Sequence, residues 1–457
     1  MKRVRLTSGL GFYGDHWNPV LAAIERGEVD YVCSDHLAEL TLAILQKDRL
    51  KDPNAGFARD LLPMLAHLWP SASARGVKFV FNAGGLNPHG AAQAVQKIFV
   101  EKGWRARIAV VTGDDVMPLI DHLQAESNDF RHMDTGEVMT SIREQLIFAN
   151  AYLGAQPIAK ALERGADIVI TGRVADAALF LGPLIHEFQW RSTDWHLLAQ
   201  GVVAGHLLEC SGQGAGGNFG AASIWQHVPD LAHIGFPIAD VGHDGDVIIC
   251  KAPDTGGRIN FHTVRQQLLY EVHNPAAYVT PDVVLDMSQL GMEDLGDDRV
   301  RVSGAIGAPA PLQLKVVAGY RNGWMGHIVI GFCWPDALKK AQAVAETVRT
   351  MMHESRIEYE ELCTEFLGHN TFLGPHAHHP EEDDINEIWL RMAIRTNDKK
   401  YADAFPRCFP WLALSGPPFM GGFHGIPAAS QLIGVWPTLV SREVIEDQIQ
   451  IELIEIA

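Results

Sequence analysis

Carboxylates, an arginine and a histidine stand just after short apolar runs, and that placement is the first sign of chemistry. "VDYVCSDHLAEL" carries Asp35 and His36, and "VKFVFNAGGLNPHG" carries Asn82, Gly84, Gly85 and Asn87. "ARIAVVTGDDV" carries Asp114 and Asp115, and "ADIVITGRVAD" carries Arg173 and Asp176. Further on, "GHLLECSGQGAGG" carries His206, Glu209, Gly216 and Gly217. A carboxylate or an imidazole can take or give a proton near neutral pH. An arginine can hold a carboxylate or phosphate through two parallel hydrogen bonds. Glycines at a helix start can bring backbone N–H groups up to an anion.

Each of these residues also has a plain structural reading. Asp35 and the Asp114–Asp115 pair suit helix N-caps. Gly84–Gly85 can be only a tight strand-to-helix turn, with Asn87 as the cap and Pro88 in the first turn. Arg173 and Asp176, three residues apart, can be an ordinary ion pair. Cys210 is more often a small buried hydrophobe than a nucleophile. Adjacent side chains in a strand point to opposite faces, so at most one of Asp114 and Asp115 enters a site. His206 and Glu209, at i and i+3, share a helix face and can share a proton or a metal. The candidate proton carriers are Asp115, Asp176, Glu209 and His36. The candidate substrate-binding residues are Asn82, Gly84, Gly85, Asn87, Arg173, Gly216 and Gly217. Asn82, Gly84, Asp115, Arg173, Asp176 and Glu209 are expected to line one cleft.

Neither GxGxxG nor a Gly-Lys-Ser/Thr loop follows the first glycine pair, so there is no nucleotide-binding motif. His369, His376, His378 and His379 lie close together in an acidic stretch. A solvated loop is the stronger reading there, but a divalent metal stays open as a cofactor.

The elements that must position these residues alternate. "RVRLTSG", "VDYVCSD", "VKFVFNAG", "ARIAVVTGDD" and "ADIVITGRVAD" read as strands. Helix-like stretches lie between them, at 36–49, 57–69, 90–102, 116–124 and 144–164. Continuous apolar strands separated by helices predict a mostly parallel, doubly wound, Rossmann-like α/β sheet. Ligands bind at the carboxyl edge of such sheets, where these polar strand endings gather. Beyond about residue 300 the pattern changes. "QLKVVAGY" and "GHIVIGFCW" read as strands, "DALKKAQAVAETVRTMM" as a helix, and "IEYEELCTEFLG", "IWLRMAIRT" and "EDQIQIELIEIA" as antiparallel strands. The expected organisation is therefore an α/β domain over 1–290, holding the site, and an α+β domain over 291–457.

The 457 residues are 47% hydrophobic and 20% charged, enough for a large core and unlike a disordered chain. A net charge of -18 argues against a sequence-independent grip on nucleic acid. The six cysteines are scattered without a CxxC pair, which signals neither a zinc ribbon nor a disulfide framework. No apolar run approaches the ~18 residues that span a bilayer. A reducing cytoplasm is the expected location.

The motifs resemble a known family. "GFYGD" (11–15), "DYVCSDHLAELT" (30–41), "NAGGLNPHG" (82–90), "VVTGDD" (110–115), "AYLGAQPIAKALERGADIVITGRVADAAL" (151–179), "GHLLECSGQGAGG" (205–217), "GFPIADV" (235–241), "TGGRINFHTVRQQLLYEV" (255–272) and "YVTPDVVLD" (278–286) resemble, in order, those of the acyclic terpene utilisation (AtuA) family. The later part matches through "SGPPF" (415–419), where the family more often has a glycine after the two prolines. The resemblance implies a catabolic role, since the family takes its name from gene clusters that degrade citronellol and geraniol through acyl-CoA intermediates. It carries over no catalytic residues.

Three functions are open from these features. The first is an enzyme of the lyase, hydratase or isomerase kind, acting on a carboxylate or acyl-CoA. Such chemistry needs a base beside a carbonyl and a group to stabilise the enolate. The second is a non-catalytic metabolite-binding or assembly subunit. The third is a metal-dependent hydrolase. Longer members of the family carry an extra C-terminal domain of about 100 residues, the size of a small independent domain, with a Ser-Gly-Asp-Lys-Gly motif. This sequence lacks that motif, so a separate small subunit is expected, as is a homo-oligomer on base rates.

Overall fold

The computed structural model describes residues 2–126, 128–220, 224–378, 385–422 and 425–457. The chain packs as two compact units. The first takes the residues up to Arg143, then Ile147–Gly319 and Val435–Ala457; the second takes Glu144–Leu146 and Tyr320–Gly434. This division differs from the expected break after residue 290. The reason is visible in the last strand, Gln450–Ile456, which pairs with residues Ala106–Thr112 rather than with its sequence neighbours.

In the first unit the apolar runs form β1 (Arg3–Ser8), β2 (Tyr31–Ser34), β3 (Lys78–Phe81), β4 (Ala106–Thr112), β5 (Leu146–Ala151), β6 (Ile168–Thr171), β7 (Pro237–Gly242) and β8 (Val247–Lys251). All four residues of β2 and of β6 are buried, as continuous apolar strands require. β1, β2, β3, β6 and β4 lie side by side in that order, each parallel to its neighbour. The flanks are antiparallel: β7, β8, Arg299–Ser303 and Gly291–Gly296 beyond β1, and Gln450–Ile456 beyond β4. The ten-stranded sheet is therefore mixed, and only its centre is parallel.

The helices of this unit include α1 (Asn18–Arg26), α2 (Glu39–Arg49), α3 (Leu61–Ser73), α4 (Pro88–Lys102), α5 (Ile120–Ala125), α6 (Gln156–Glu163), α7 (Ala178–Phe188), α8 (Trp195–Leu208) and α9 (Phe261–Leu269). Phe79, Phe81, Ile108, Val110, Ile168 and Ile170 share one core with Leu65 and Leu68 of α3 and Val95 and Phe99 of α4. Their spacing by two puts them on one face of the sheet. α7 contacts β1, β2 and β3, and packs against α6 and α8. The helix-like stretch 144–164 resolves into β5 and α6. β5 leaves the large sheet and pairs with the start of a long strand, Gln313–Cys333, where the Tyr152 N–H donates to the Lys315 carbonyl at 2.9 Å. That non-local pairing overrides the local helical pattern.

In the second unit, residues 324–333 of that strand pair with Glu387–Thr396, which pairs in turn with Glu361–Leu367. "RNG" looks like a turn between two strands. Gly323 does adopt φ +78, yet the pairing from Trp324 onwards keeps a single strand. Helix Ala337–Glu354 packs Val344, Val348 and Met352 against Ile388, Leu390, Met392 and Ile394. Among the described residues no helix is long and apolar enough to cross a membrane.

Candidate functional site

Four strand endings converge through hydrogen bonds. After β2, Asp35 Oδ1 accepts from the Leu37 N–H at 3.0 Å and from Asn82 Nδ2, at the end of β3, at 2.5 Å. Asn82 Oδ1 accepts from the His36 N–H at 2.7 Å. After β4, Asp114 Oδ2 accepts from the Arg173 N–H, after β6, at 2.8 Å, and from Asn150 Nδ2 at 2.8 Å. Parallel order brings these endings to the same edge.

A cavity of about 480 Å³ opens beside them, lined by Asp35, Glu39, Tyr152, Arg173, Asp176 and Glu209 among others. Arg173 is buried. Its Nη1 donates to the Leu37 carbonyl at 2.7 Å, its Nη2 lies 3.0 Å from Asp176 Oδ1, and Asp35 Oδ1 lies 3.9 Å away. Its guanidinium stacks 4.1 Å from the centre of the Tyr152 ring. Arg173 Nε is buried without a hydrogen-bond partner. The Tyr152 hydroxyl donates to Glu39 Oε1 at 2.5 Å, and Lys315 Nζ lies 3.3 Å from the same oxygen. Burial pulls Glu39 upward, but the Tyr152 hydroxyl and the Lys315 and Arg173 charges outweigh it and hold Glu39 at about 2. Burial, with the nearby charge of Asp176, pushes Asp35 well above the usual carboxylate range despite Arg173.

Across the cavity, α8 ends in the His206–Glu209 pair. Glu209 Oε1 lies 2.8 Å from His206 Nδ1, and His206 Nε2 lies 3.2 Å from the Leu268 carbonyl, to which it donates. Glu209 Oε2 has no partner. Burial pushes Glu209 up to about 7, against the pull of His206. Burial alone would lower His206; the Glu209 carboxylate overrides it and raises the imidazole. Two glycines let the backbone come this close. A Cβ at Gly205 would lie 2.8 Å from Ala177 Cα, where α8 crosses the start of α7, and one at Gly11 would lie 3.0 Å from the Glu209 carbonyl oxygen.

The expectation of one shared cleft is only partly met. Arg173, Asp176 and Glu209 line the cavity together, and Asn82 stands behind it, holding Asp35. Asp115 does not: it is exposed and lines a second cavity, with Gly85 and Asn87. The adjacent Asp114 borders the same second cavity but is buried, and its Oδ2 accepts from the Arg173 N–H. His36 is fully buried beneath the strand ends, with Nδ1 3.2 Å from Asp60 Oδ1, and does not line either cavity. The Gly84–Gly85 turn is not an open anion cradle. The Gly85, Leu86 and Asn87 N–H groups donate to Asn82, Gly56 and Gly84 carbonyls, and Gly84 is packed beneath the Thr171 carbonyl. Asn87 caps α4 by accepting from the Gly90 N–H. Gly216 and Gly217 close a 3₁₀ turn, donating to Gln213 and Gly212, outside both cavities. Among the described residues no group of three or more His, Cys, Asp or Glu side chains is arranged around a metal position. His379 lies outside the described residues.

Sequence reasoning offered Asp35 only as a helix cap, named Glu39 beside it without a role, and passed over Tyr152 and Lys315. Asp35 does not cap α2, whose N-cap is Ala38. The only available signal was "SDH" and "AYLG" standing at strand ends like the residues that were chosen.

The family model described as acyclic terpene utilisation family protein AtuA matches residues 4–451. No curated protein and no solved structure matches the chain.

Proposed function

The chain belongs to the acyclic terpene utilisation family, and on that premise we propose that it is a catabolic enzyme that moves protons beside the carbonyl of a carboxylate-derived or acyl-CoA substrate. The reaction class is hydration or dehydration, isomerisation, or C–C cleavage. The observation that carries this reading is the Glu209–His206 pair at the cavity wall. A carboxyl pushed up to about 7 is matched to taking and returning a proton at neutral pH. His206 gives it a partner with which to share that proton. Burial, with the nearby charge of Asp176, pushes Asp35 well above the usual carboxylate range, which favours the form that donates a hydrogen bond to the oxyanion developing when a proton leaves the neighbouring carbon.

The test is exchange. The isolated chain is incubated in D₂O with a panel of acyl-CoA thioesters and carboxylates, and products are read by mass spectrometry. Deuterium gain or a change of mass is expected with at least one substrate, and it should vanish in Glu209→Gln. Turnover unchanged in Glu209→Gln would overturn the assignment of the base, and no exchange or mass change with any substrate would reject the enzymatic reading.

A further inference from the structure

The two bases among the described residues lining the cavity, Arg173 and Lys315, are already spent. Arg173 Nη2 sits 3.0 Å from Asp176, and Lys315 Nζ sits 3.3 Å from Glu39, which is ionised because its pKa is held at about 2. Against these stand the carboxylates of Glu39, Asp176 and Glu271 in the same lining. At the start of α7 three N–H groups are already committed. The Ala178, Leu179 and Phe180 N–H groups donate to the Ala175, Asp176 and Ala177 carbonyls. A carboxylate brought here would lose its water and meet no unpaired positive charge, and burying such a charge is costly.

A neutral carbonyl oxygen meets a different wall. It needs one donor and no counter-charge. Arg173 Nε is a buried donor without a partner, on a guanidinium whose charge Asp176 already balances. We propose that the cavity admits the reacting end of its substrate as an uncharged carbonyl (thioester, ester, amide or ketone) and rejects the free carboxylate, with Asp176 as the residue that sets this selection. The proposal rests on the proposed function for the place of the site, and not for the reaction.

Binding, rather than turnover, tests it. Butanoate and S-butanoyl-N-acetylcysteamine are titrated by calorimetry into wild type, Asp176→Asn, Asp176→Ser and Asp176→Glu at neutral pH. Wild type and Asp176→Glu should bind the thioester at least about tenfold more tightly than butanoate. Asp176→Asn and Asp176→Ser, which leave the guanidinium unbalanced, should gain at least about tenfold in butanoate affinity. Asp176→Ser covers the case in which Asp176→Asn fails to fold. Butanoate binding to wild type as tightly as the thioester, or no gain in a folded charge-removing variant, would overturn the proposal. Glu209→Gln should keep the wild-type preference, so loss of deuterium exchange and loss of selection report on different claims.

Discussion

Glu209 Oε1 lies 2.8 Å from His206 Nδ1, and the other ring nitrogen of His206 is committed to the Leu268 carbonyl at 3.2 Å. With Nε2 holding a proton, Nδ1 is protonated only when the ring is cationic. The pair therefore holds one proton between a carboxyl and an imidazole, and its net charge is zero wherever that proton sits.

In Glu209→Gln the carboxylate that raises His206 is gone, and burial is then opposed only by the Leu268 carbonyl and the Glu271 charge. The imidazole titration, followed by NMR of the ring C–H signals, should move to lower pH. Turnover of any substrate found should fall by about 10²–10⁴, the usual contribution of a positioned proton carrier. A His206 titration that stays in place would mean that the two groups do not share a proton.

Arg173 is expected to matter for folding. Removing it leaves Asp176 and Asp35 facing each other without a cation and Tyr152 without its stacked partner. Arg173→Ala should cost about 3–5 kcal/mol, the range for breaking a buried ion pair. Arg173→Lys should recover only part of this, since one ammonium cannot reach Leu37 and Asp176 with the same fork. Urea denaturation measures both. A loss under about 1 kcal/mol in Arg173→Ala would return the residue to the role of a free ligand-binding cation.

Asp114 predicts a pH dependence with a definite sign. Burial raises its folded pKa to about 6, from 3.8, in spite of the Arg173 and Asn150 hydrogen bonds. The folded state then binds the proton more tightly than the unfolded chain does. Its contribution is fully present below about pH 3.8 and is lost as pH rises through about 6. The loss is about 3 kcal/mol at most, from roughly two pKa units at 1.36 kcal/mol each. Denaturation across this range should show a shallower slope in Asp114→Asn than in wild type. An unchanged slope would show that Asp114 ionises normally.

Gly205→Ala places a methyl group against the backbone of Ala177. The crossing of α7 and α8 must open, and with it the spacing between Asp176 and Glu209. A destabilisation of about 1–3 kcal/mol is expected, typical of overpacking, together with loss of turnover out of proportion to it. Thermal melting and activity on the same sample check this. Full activity at wild-type stability would mean that the crossing is loose.

By itself the sequence determined the local part of this protein. Val77–Phe81, Ile108–Val111 and Ile168–Ile170 are apolar enough to be buried strands in any arrangement, and Asn87–Pro88 starts a helix by its own chemistry. The i, i+3 spacing placed His206 and Glu209 on one face before any fold was known. The tertiary structure decided which strand endings meet. β6 lies between β3 and β4, so Arg173 falls beside Asp35, Asn82 and Asp114. Nothing in the residues around Asp115 says that its side chain stays exposed while that of its neighbour Asp114 is buried against the Arg173 N–H. Tyr152 and Lys315 reach the site only because β5 leaves the large sheet to pair with a strand more than a hundred residues away, and Gln450–Ile456 joins β4 across most of the chain. Pattern and propensity act over a few residues, whereas register between distant strands is set by the packing of the whole core, which no single segment encodes.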